Sequence, residues 1–248
     1  MSEHLLSSVS GGVLELRFNR PEKRNAITFA MYRALAAQLE AALADEVVRA
    51  VLLSGAGASF TAGNDLNDFL STDFSGTHPV IEVLHRLATF DKPLVAAVHG
   101  QTVGIGVTML LHCDLVVAAE SSILSMPFVA LGLVPEAGSS LLVPRLAGAQ
   151  RAAELLLLGS PLDAAGAERL GLVNRVVAEP GLLDEARALA LRLAQQPAGA
   201  LRATKRLLRG DPAELLARID AEVAEFGARL KSEEFRSRVA AILGKGRA

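Results

Sequence analysis

The sequence predicts an α/β protein with a helical C-terminal region. Three apolar runs, RAVLLSG, PLVAAVHG and DLVVAA, have the length and composition of buried strands, and helical patterns separate them. Strands that alternate with helices are typical of crossover units with parallel pairing. From about residue 181 the apolar spacing becomes almost wholly helical. We therefore expect a sheet-containing core over residues 1–180 and a helical region over residues 181–248.

The first predicted elements come before the first of these runs. GGVLELRFNRP predicts a strand after a glycine turn, and Pro21 ends it because proline cannot donate to a strand ladder. Thr28 is predicted to cap a helix that carries Met31, Leu35 and Leu39 on one face. RAVLLSG then predicts the next buried strand.

A glycine-rich turn, SGAGASFTAGNDL, follows that strand. It is not a dinucleotide-binding fingerprint, because Phe60 stands where the third glycine would be needed. What remains is a backbone turn at residues 62–64, after which Asp65 is placed to start a short helix. Either Asp65 only caps a structural helix, or the free N–H groups of the helix start bind an anion or a developing oxyanion.

The segment from Pro93 to Glu120 predicts a buried strand, a glycine turn, a buried helix and another strand. Its histidines, glycines and Asp114 interrupt the apolar run, so it does not resemble a membrane span. The turn HGQTVGIGVTML has no lysine after its last glycine and is therefore not a P-loop. It either packs a helix closely on a strand or supplies an N–H donor near Ile105, facing a first donor at Asn64.

Four helices are predicted after residue 181. They are LLDEARALALRLAQQ, AGALRATKRLLRG, PAELLARIDAEVAEFGARL and SEEFRSRVAAILGK. Proline, glycine and serine residues separate them. Helices with apolar faces of this kind pack on their own core or on a neighbouring subunit.

The composition excludes several classes of function. The chain has 248 residues, 51% hydrophobic and 21% charged, which is enough for a large core. A formal net charge of -2 and a pI ≈ 6.2 give no basic field to attract nucleic acid or a membrane surface. Cys113 is the only cysteine, so no internal disulfide forms and a reducing compartment, the cytoplasm, is expected. The start MSEHLLSSVS lacks the pattern of a secretory signal.

Neither a metal site nor a nucleophile-and-base set stands out. No H-E-x-x-H or C-x-x-C spacing occurs, and none of the five histidines lies beside a G-x-S-x-G elbow. His99 and His112 are interpreted as hydrogen-bonded core or turn residues. Basic residues near the first strand, including Arg20, Lys23 and Arg24, form either a solvated face or a phosphate contact.

One acid, Glu136, lies in the apolar turn GLVPEAGSS. A solvated loop would explain it, and so would a helix start, where an acid in the first turn is favoured. The third explanation is a catalytic base in a dry pocket. The pattern by itself leaves all three open.

The motifs LRFNRPEKRNAIT, SGAGASFTAGNDL, KPLVAAVHGQTVGIGVTMLLHCDLVVAAE and LGLVPEAGSSLLVPRLAG resemble, in this order, those of the enoyl-CoA hydratase/isomerase (crotonase) superfamily. The resemblance covers essentially the whole chain. It implies a crotonase-like core of ββα repeats, a helical C-terminal trimerisation region and an acyl-CoA thioester substrate. It also implies that the backbone amides of Asn64 and Ile105 bind the thioester oxygen.

The resemblance further implies which reaction is expected. Hydratases of this superfamily carry two catalytic glutamates, and Thr108 and Phe128 occupy those positions here. Neither side chain can deprotonate water near neutral pH. Glu136 instead matches the lone glutamate of peroxisomal-type Δ3,Δ2-enoyl-CoA isomerases, although Gly138 stands where related isomerases often have cysteine. An apolar pocket including Phe128 and Leu131 is expected to raise the pKa of Glu136.

Further residues are assigned to CoA by the resemblance alone. They are Lys23 and Arg24 for its phosphates, the backbone around Ala26, Ala62, Asp65 and Leu66, and Phe226 and Lys231 from the C-terminal helices of the same or a neighbouring subunit. No metal or other cofactor is expected, because CoA belongs to the substrate. A homotrimer or a dimer of trimers is expected. The alternatives are another CoA-thioester reaction, such as hydrolysis, diene isomerisation or weak hydration, and a non-catalytic acyl-CoA-binding subunit.

Overall fold

The computed structural model describes residues 3–70 and 78–245. Residues 1–2 and 71–77 of the predicted core and the last three residues of the predicted helical region lie outside these ranges. The strands are β1 (Leu5–Ser10), β2 (Val13–Phe18), β3 (Ala50–Gly55), β4 (Leu94–Val98), β5 (Gln101–Val103), β6 (Leu115–Ala119), β7 (Ile123–Ser125), β8 (Leu162–Asp163) and β9 (Arg175–Val177). Strands of this length need packed helices to be stable.

The helices begin with α1 (Phe29–Ala44), α2 (Leu66–Leu70), α3 (Pro79–Thr89) and α4 (Ile105–Thr108). They continue with α5 (Ser139–Ala147), α6 (Ala149–Ala153), α7 (Ala164–Leu170), α8 (Leu182–Ala194), α9 (Ala198–Arg209), α10 (Ala213–Leu230) and α11 (Glu233–Lys245). Thr28 caps α1 as predicted, and its side chain accepts a hydrogen bond from the amide of Met31 at 3.3 Å. The four predicted C-terminal helices are confirmed as α8 to α11.

A six-stranded sheet in the order β1-β2-β3-β4-β6-β9 forms the centre of the molecule. The predicted parallel pairing is confirmed from β2 to β9. Only the edge pair β1 and β2 is antiparallel in this sheet. A second, three-stranded sheet has the order β5-β7-β8. The α/β class is therefore confirmed.

Several short strands, among them β1 and β5, were not predicted from the pattern. The edge strand β1 was missed because its burial falls almost wholly on Leu5, while Leu6 and Val9 are 46% and 50% exposed. The buried helix expected before β6 is only the four residues of α4 followed by a 3-10 turn at Met109–His112. Part of the segment expected to be a turn is the strand β5, because pairing with β7 stabilises an extended backbone there.

Helices cover both faces of the large sheet. One apolar cluster joins α1 and α3 to one face, and a second joins α8 to the other. In α8 the buried residues include Leu182, Ala186 and Leu189, which pack near Leu52 and Val95 of the strands. Burial of each such leucine contributes about 1.5–3 kcal/mol. The division of the chain at residue 180 stays a prediction, and α8 beyond it belongs to the packing of the sheet.

No helix within residues 3–70 and 78–245 is long and apolar enough to cross a membrane.

The close approach of two loops at Gly100 gives a test of the fold. A Cβ atom there would lie 2.0 Å from the backbone oxygen of Ala58, and the φ of Gly100 is +55°. We expect Gly100→Ala to lower the free energy of unfolding by about 3 kcal/mol, through left-handed strain and overpacking together. Chemical denaturation measures this change.

Gly199→Ala is the matched control, because no atom lies within 4 Å of a Cβ built there. It lies in α9, where alanine favours the helix by about 1 kcal/mol over glycine. Equal stabilities of the two variants would contradict the packing described at Gly100.

Candidate active site

A cavity of about 470 Å³ lies between the two glycine-rich turns and the C-terminal helices. Its walls are mainly apolar and include four phenylalanines. The lining residues are Arg20, Lys23, Ala26, Ala62, Gly63, Asn64, Asp65, Leu66, Asn67, Phe69, Val103, Gly104, Ile105, Pro127, Phe128, Leu131, Leu133, Phe226 and Phe235. A concave apolar site with a few polar groups is typical of a small-molecule site.

The two glycine-rich turns contact each other at this cavity. The amide of Val103 donates to the backbone oxygen of Thr61 at 3.0 Å, and the amide of Phe60 donates to that of His99 at 2.8 Å. Gly63 has a φ of +89°, and a Cβ atom there would lie 2.9 Å from the oxygen of Val103. Only glycine fits such an approach without strain. The two turns are therefore in direct contact, while a pair of facing donors near Asn64 and Ile105 stays a prediction.

Asn64 and Ile105 both line the cavity. Asn64 pairs with Ile27 in a parallel bridge, whose bonds run from the amide of Ile27 to Gly63 and from the amide of Asp65 to Ile27. Ile105 is the first residue of α4. In the part of the chain that the structure describes, neither the Asn64 nor the Ile105 amide donates to another backbone group. Two such amides are able to bind an oxyanion.

Glu136 is buried beside these turns, with 4% of its surface exposed. The hydroxyl of Thr108 donates to its Oε1 at 2.5 Å. Its Oε2 is buried and has no hydrogen-bond partner among the described residues. Glu136 is not itself in the cavity wall, although Leu133 before it and Ile105, on the helix of Thr108, both are. The carboxyl group therefore lies inside the protein, and its solvated-loop interpretation is wrong.

The environment of Glu136 changes its acidity. Burial raises its pKa from 4.5 to about 8, the hydrogen bond from Thr108 lowers it, and the negative charge of Glu222 raises it. The free-energy cost of removing the carboxylate from water therefore exceeds the stabilisation that the Thr108 hydroxyl gives to its charged form. An acid with a pKa near 8 is suited to both accepting and returning a proton near neutral pH.

The turn after Glu136 is held by several hydrogen bonds. The hydroxyl of Ser139 donates to the Glu136 backbone oxygen at 2.6 Å, and the Nε2 atom of His112 donates to the Ala137 oxygen at 2.8 Å. Ala137 has a φ of +60° and Gly138 one of +72°. A left-handed alanine costs roughly 1–2 kcal/mol, so the surrounding contacts must impose this conformation.

Packing also accounts for glycine at position 138. A Cβ atom there would lie 2.4 Å from Cδ1 of Leu215 in α10, in a conformation that side chains rarely adopt. In this chain the turn and α10 are therefore closer than a cysteine at Gly138 would allow without movement of Leu215.

A buried tyrosine connects α1 to the first turn. The hydroxyl of Tyr32, which is fully buried, donates to Oδ1 of Asn64 at 2.5 Å. Burial, and after it the charge of Glu136, raises the pKa of Tyr32 well above its usual value. Tyr32 therefore stays neutral and fixes the side chain of Asn64.

Comparison with known families decides the identity of the fold. The family described as Enoyl-CoA hydratase/isomerase matches residues 8–247. The chain belongs to this family. It is accordingly an enzyme of the crotonase superfamily that acts on CoA thioesters.

Relatives of known name carry out different reactions. The chain is 37% identical to 1,2-epoxyphenylacetyl-CoA isomerase of Escherichia coli (strain K12), over 99% of this chain and 97% of the relative. It is also 37% identical to Enoyl-CoA delta isomerase 2 of Rattus norvegicus, over 94% of this chain but 61% of the relative. A 2,3-dehydroadipyl-CoA hydratase of Escherichia coli is 37% identical over 84% of this chain and 82% of the relative. Membership of the family therefore establishes a CoA thioester as the substrate, but the family includes both isomerases and hydratases.

Solved structures of the family have the same fold. An enoyl-CoA hydratase/isomerase from Pseudoalteromonas atlantica T6c has a TM-score of 0.94 and 43% identity, over 98% of both chains. Pseudomonas aeruginosa OdaA has a TM-score of 0.95 and 42% identity, over 97% of this chain and 99% of that one. The crotonase-like core with a helical C-terminal region is confirmed.

Six of the eight residues assigned to CoA line the cavity. They are Lys23, Ala26, Ala62, Asp65, Leu66 and Phe226. Arg24 instead donates to Gln101 at 3.1 Å on the surface, and Lys231 is an exposed residue at the end of α10. The structure therefore does not bring Arg24 and Lys231 into the cavity wall of this chain.

Asp65 has a different environment from Glu136. It forms a 2.6 Å ion pair with Arg20 and accepts a 3.0 Å hydrogen bond from the amide of Asn67 in α2. Burial works to raise the pKa of Asp65, but the hydrogen bonds from Arg20 and Asn67 outweigh it and lower the pKa. Asp65 therefore caps the helix start, as the structural interpretation expected, and also lies at the cavity.

Sequence reasoning missed several residues in or next to the cavity. Arg20 was grouped with a basic cluster but not selected, although its place at the end of the first predicted strand, just before Pro21, was a usable signal. Phe69 and Phe235 come from α2 and α11, and nothing in their local pattern distinguishes a cavity from a core position. Tyr32 lies on the predicted buried face of α1, and only its contact with Asn64 marks it.

The two central histidines are hydrogen-bonded as expected. His99 contacts the backbone oxygen of Gly57 at 2.8 Å, and His112 contacts that of Ala137. Within residues 3–70 and 78–245, no group of three or more histidine, cysteine, aspartate or glutamate side chains could hold a metal ion.

Titration of Tyr32 tests the buried site directly. It is the only tyrosine and there is no tryptophan, so tyrosinate absorbance reports this position alone. Because the pKa of Tyr32 is raised well above 10.0, we expect no tyrosinate signal in the folded protein as the pH passes that value. The unfolded protein serves as the control and titrates at about 10. A folded protein that titrates like the unfolded one would show that Tyr32 is solvated.

Proposed function

We propose that the protein is a Δ3,Δ2-enoyl-CoA isomerase in which Glu136 is the only general acid and base. The main support for the proposal is the hydrogen bonding of the two oxygens of its carboxyl group. Oε1 accepts from Thr108, while Oε2 is buried without a partner among the described residues. A carboxyl oxygen with no donor nearby is free to take a proton from carbon.

The reaction needs one base and one oxyanion site. Oε2 of Glu136 removes a proton from C2 of a 3-enoyl thioester, which gives a planar dienolate. The amides of Asn64 and Ile105 bind the negative oxygen, and each such donor contributes about 3–4 kcal/mol to the transition state. Glu136 then returns the proton to C4, and the double bond lies between C2 and C3. The step requires no metal or redox cofactor, because the electron pair moves only within the acyl group.

The acid that lines the cavity, Asp65, is less suited to this role. Asp65 is paired with Arg20, and its pKa is lowered. A weaker base that is already neutralised by a guanidinium removes a carbon-bound proton poorly. This difference supports Glu136 as the base.

The residues at the two positions where hydratases carry glutamates disfavour a hydratase. Thr108 uses its hydroxyl to donate to Glu136, and Phe128 presents an apolar ring to the cavity. Addition of water needs a base that activates the water. Neither residue offers one, which supports proton transfer without hydration.

The acyl group must reach Glu136 from the cavity. Because the carboxyl group is buried and not in the cavity wall, we expect lining side chains such as Leu133 to move when the thioester binds. Side-chain rearrangement on binding is common in sites whose backbone stays fixed.

The aromatic lining favours a second candidate substrate. Phe69, Phe128, Phe226 and Phe235 all face the cavity. Such rings suit a cyclic acyl group, as in the substrate that gives its name to the 1,2-epoxyphenylacetyl-CoA isomerase of Escherichia coli. Product analysis with linear 3-enoyl and cyclic acyl-CoA esters separates the two candidates, and it also detects hydrolysis, diene isomerisation or binding without turnover.

The assembly and its location stay proposals. Leu207 and Leu208 of α9 are 85% and 82% exposed, and Leu157 and Leu158 are 64% and 75% exposed. Exposed leucines of this kind support association of the subunits, for which we propose a homotrimer or a dimer of trimers in the cytoplasm.

Replacement of the base tests the proposal. We expect Glu136→Gln to lower both 3-enoyl-CoA turnover and exchange of the C2 proton with deuterium oxide by about 10³-fold, because the amide cannot accept that proton. Glu120→Gln, an exposed Glu-to-Gln change, is the matched control and retains both activities. Full exchange in Glu136→Gln, with loss in Asp65→Asn, would assign the base to Asp65 instead.

The pH dependence gives an independent test. The catalytic form is the carboxylate, and burial raises the pKa of Glu136 to about 8. Activity is therefore lost as the pH falls, and we expect kcat/KM to decrease tenfold per pH unit below about 8. Rates measured across this range at low substrate concentration report the free enzyme. An inflection at the ordinary value of about 4.3 would mean that the acting carboxyl group is solvated.

A further inference from the structure

The turn that carries Glu136 is supported by a carboxylate from a distant part of the chain. Glu222 of α10 is 7% exposed. Its Oε2 accepts from the amide of Gly138 at 2.6 Å, and its Oε1 accepts from the amide of Ser140 at 2.9 Å. These amides lie at the start of α5, where N–H groups have no partner within the helix. Glu222 thus caps α5 from outside it.

The cap places two buried carboxyl groups close together. A neutral side chain could accept one amide hydrogen without adding a charge beside Glu136. Only a carboxylate accepts from both amides with both oxygens. Burial raises the pKa of Glu222 above its usual value, and the hydrogen bonds from Ser140 and Gly138 and the charge of Arg218 offset only part of this increase.

Resting on the proposed isomerase function, we propose that Glu222 is a positioning residue for the reaction. Its carboxylate holds the turn from Glu136 to Ser140 and places a second negative charge beside the base. Glu222 is not in the wall of the cavity, so it acts through Glu136 and does not touch the substrate.

Apart from Glu222 and Arg218, the groups named here around Glu136 are neutral. Tyr32 of α1 has a raised pKa, Thr108 of α4 does not titrate, and burial lowers the pKa of His112 to about 4. Arg218, on the same helix as Glu222, is exposed and reaches Ser140 at 3.4 Å. Glu222 is therefore the charged neighbour whose removal should change the acidity of Glu136 most.

The same helix also forms part of the cavity. Phe226 follows Glu222 by four residues, about one helical turn, and lines the cavity. Movement of α10 would therefore change both the cavity wall and the hydrogen bonds that hold the turn after Glu136.

The test compares Glu222→Gln with Glu225→Gln, an exposed residue on the same helix. The proton affinity of Glu136 is measured by carbon-13 NMR of glutamate-labelled protein, and its signal is assigned with Glu136→Gln. We expect Glu222→Gln to move the midpoint downward by about one pH unit, because a like charge is removed. The inflection of kcat/KM should move by the same amount, with kcat lowered about tenfold and KM unchanged.

A midpoint in Glu222→Gln equal to that in Glu225→Gln would overturn the proposal. If Glu222→Gln does not fold, Glu222→Asp keeps the charge but shortens the reach to the two amides. It should retain the midpoint of the unchanged protein and lower kcat, and an unchanged kcat would overturn the positioning role. The NMR titration needs no turnover, so a wild-type protein that is inactive on 3-enoyl-CoA would refute the proposed function without deciding the role of Glu222.

Discussion

The arrangement of this protein depends on keeping the carboxyl group of Glu136 away from water. A buried acid is costly in its charged form unless donors compensate it, and Thr108 supplies one donor to Oε1 while Oε2 has none among the described residues. The cost appears as a higher affinity for the proton, with a pKa of about 8. The same property that opposes ionisation makes the carboxylate a stronger base. The same buried environment therefore determines both the cost of ionising Glu136 and its strength as a base.

The fold fixes that environment through elements that are far apart in sequence. The turns after the neighbouring parallel strands β3 and β4 meet because carboxyl ends of parallel strands share one edge of the sheet. Their contact brings Asn64 and Ile105 into the wall of one cavity. The helix α10 contributes Phe226 to that wall and Glu222 to the turn after Glu136. The C-terminal region is thus part of the site as well as a packing layer.

Much of the fold could be predicted from the sequence because its elements have strong local signals. The central strands are continuous apolar runs, and Thr28 marks the start of α1 by a side-chain cap. The strand β1 could not be predicted, since an edge strand with exposed Leu6 and Val9 has no clear alternation. The strand β5 depends on its pairing with β7, which no local pattern reveals.

The sequence by itself determined the family motifs, the isolated acid at Glu136 and the glycine turns, because these features are local. Only the tertiary structure decided that Glu136 is buried, that Tyr32 fixes Asn64 and that Glu222 caps the turn. The last contact joins residues 84 positions apart. Burial and pKa depend on all atoms that surround a group, and those atoms come from several helices and strands. Composition and spacing along the chain do not specify which of them meet.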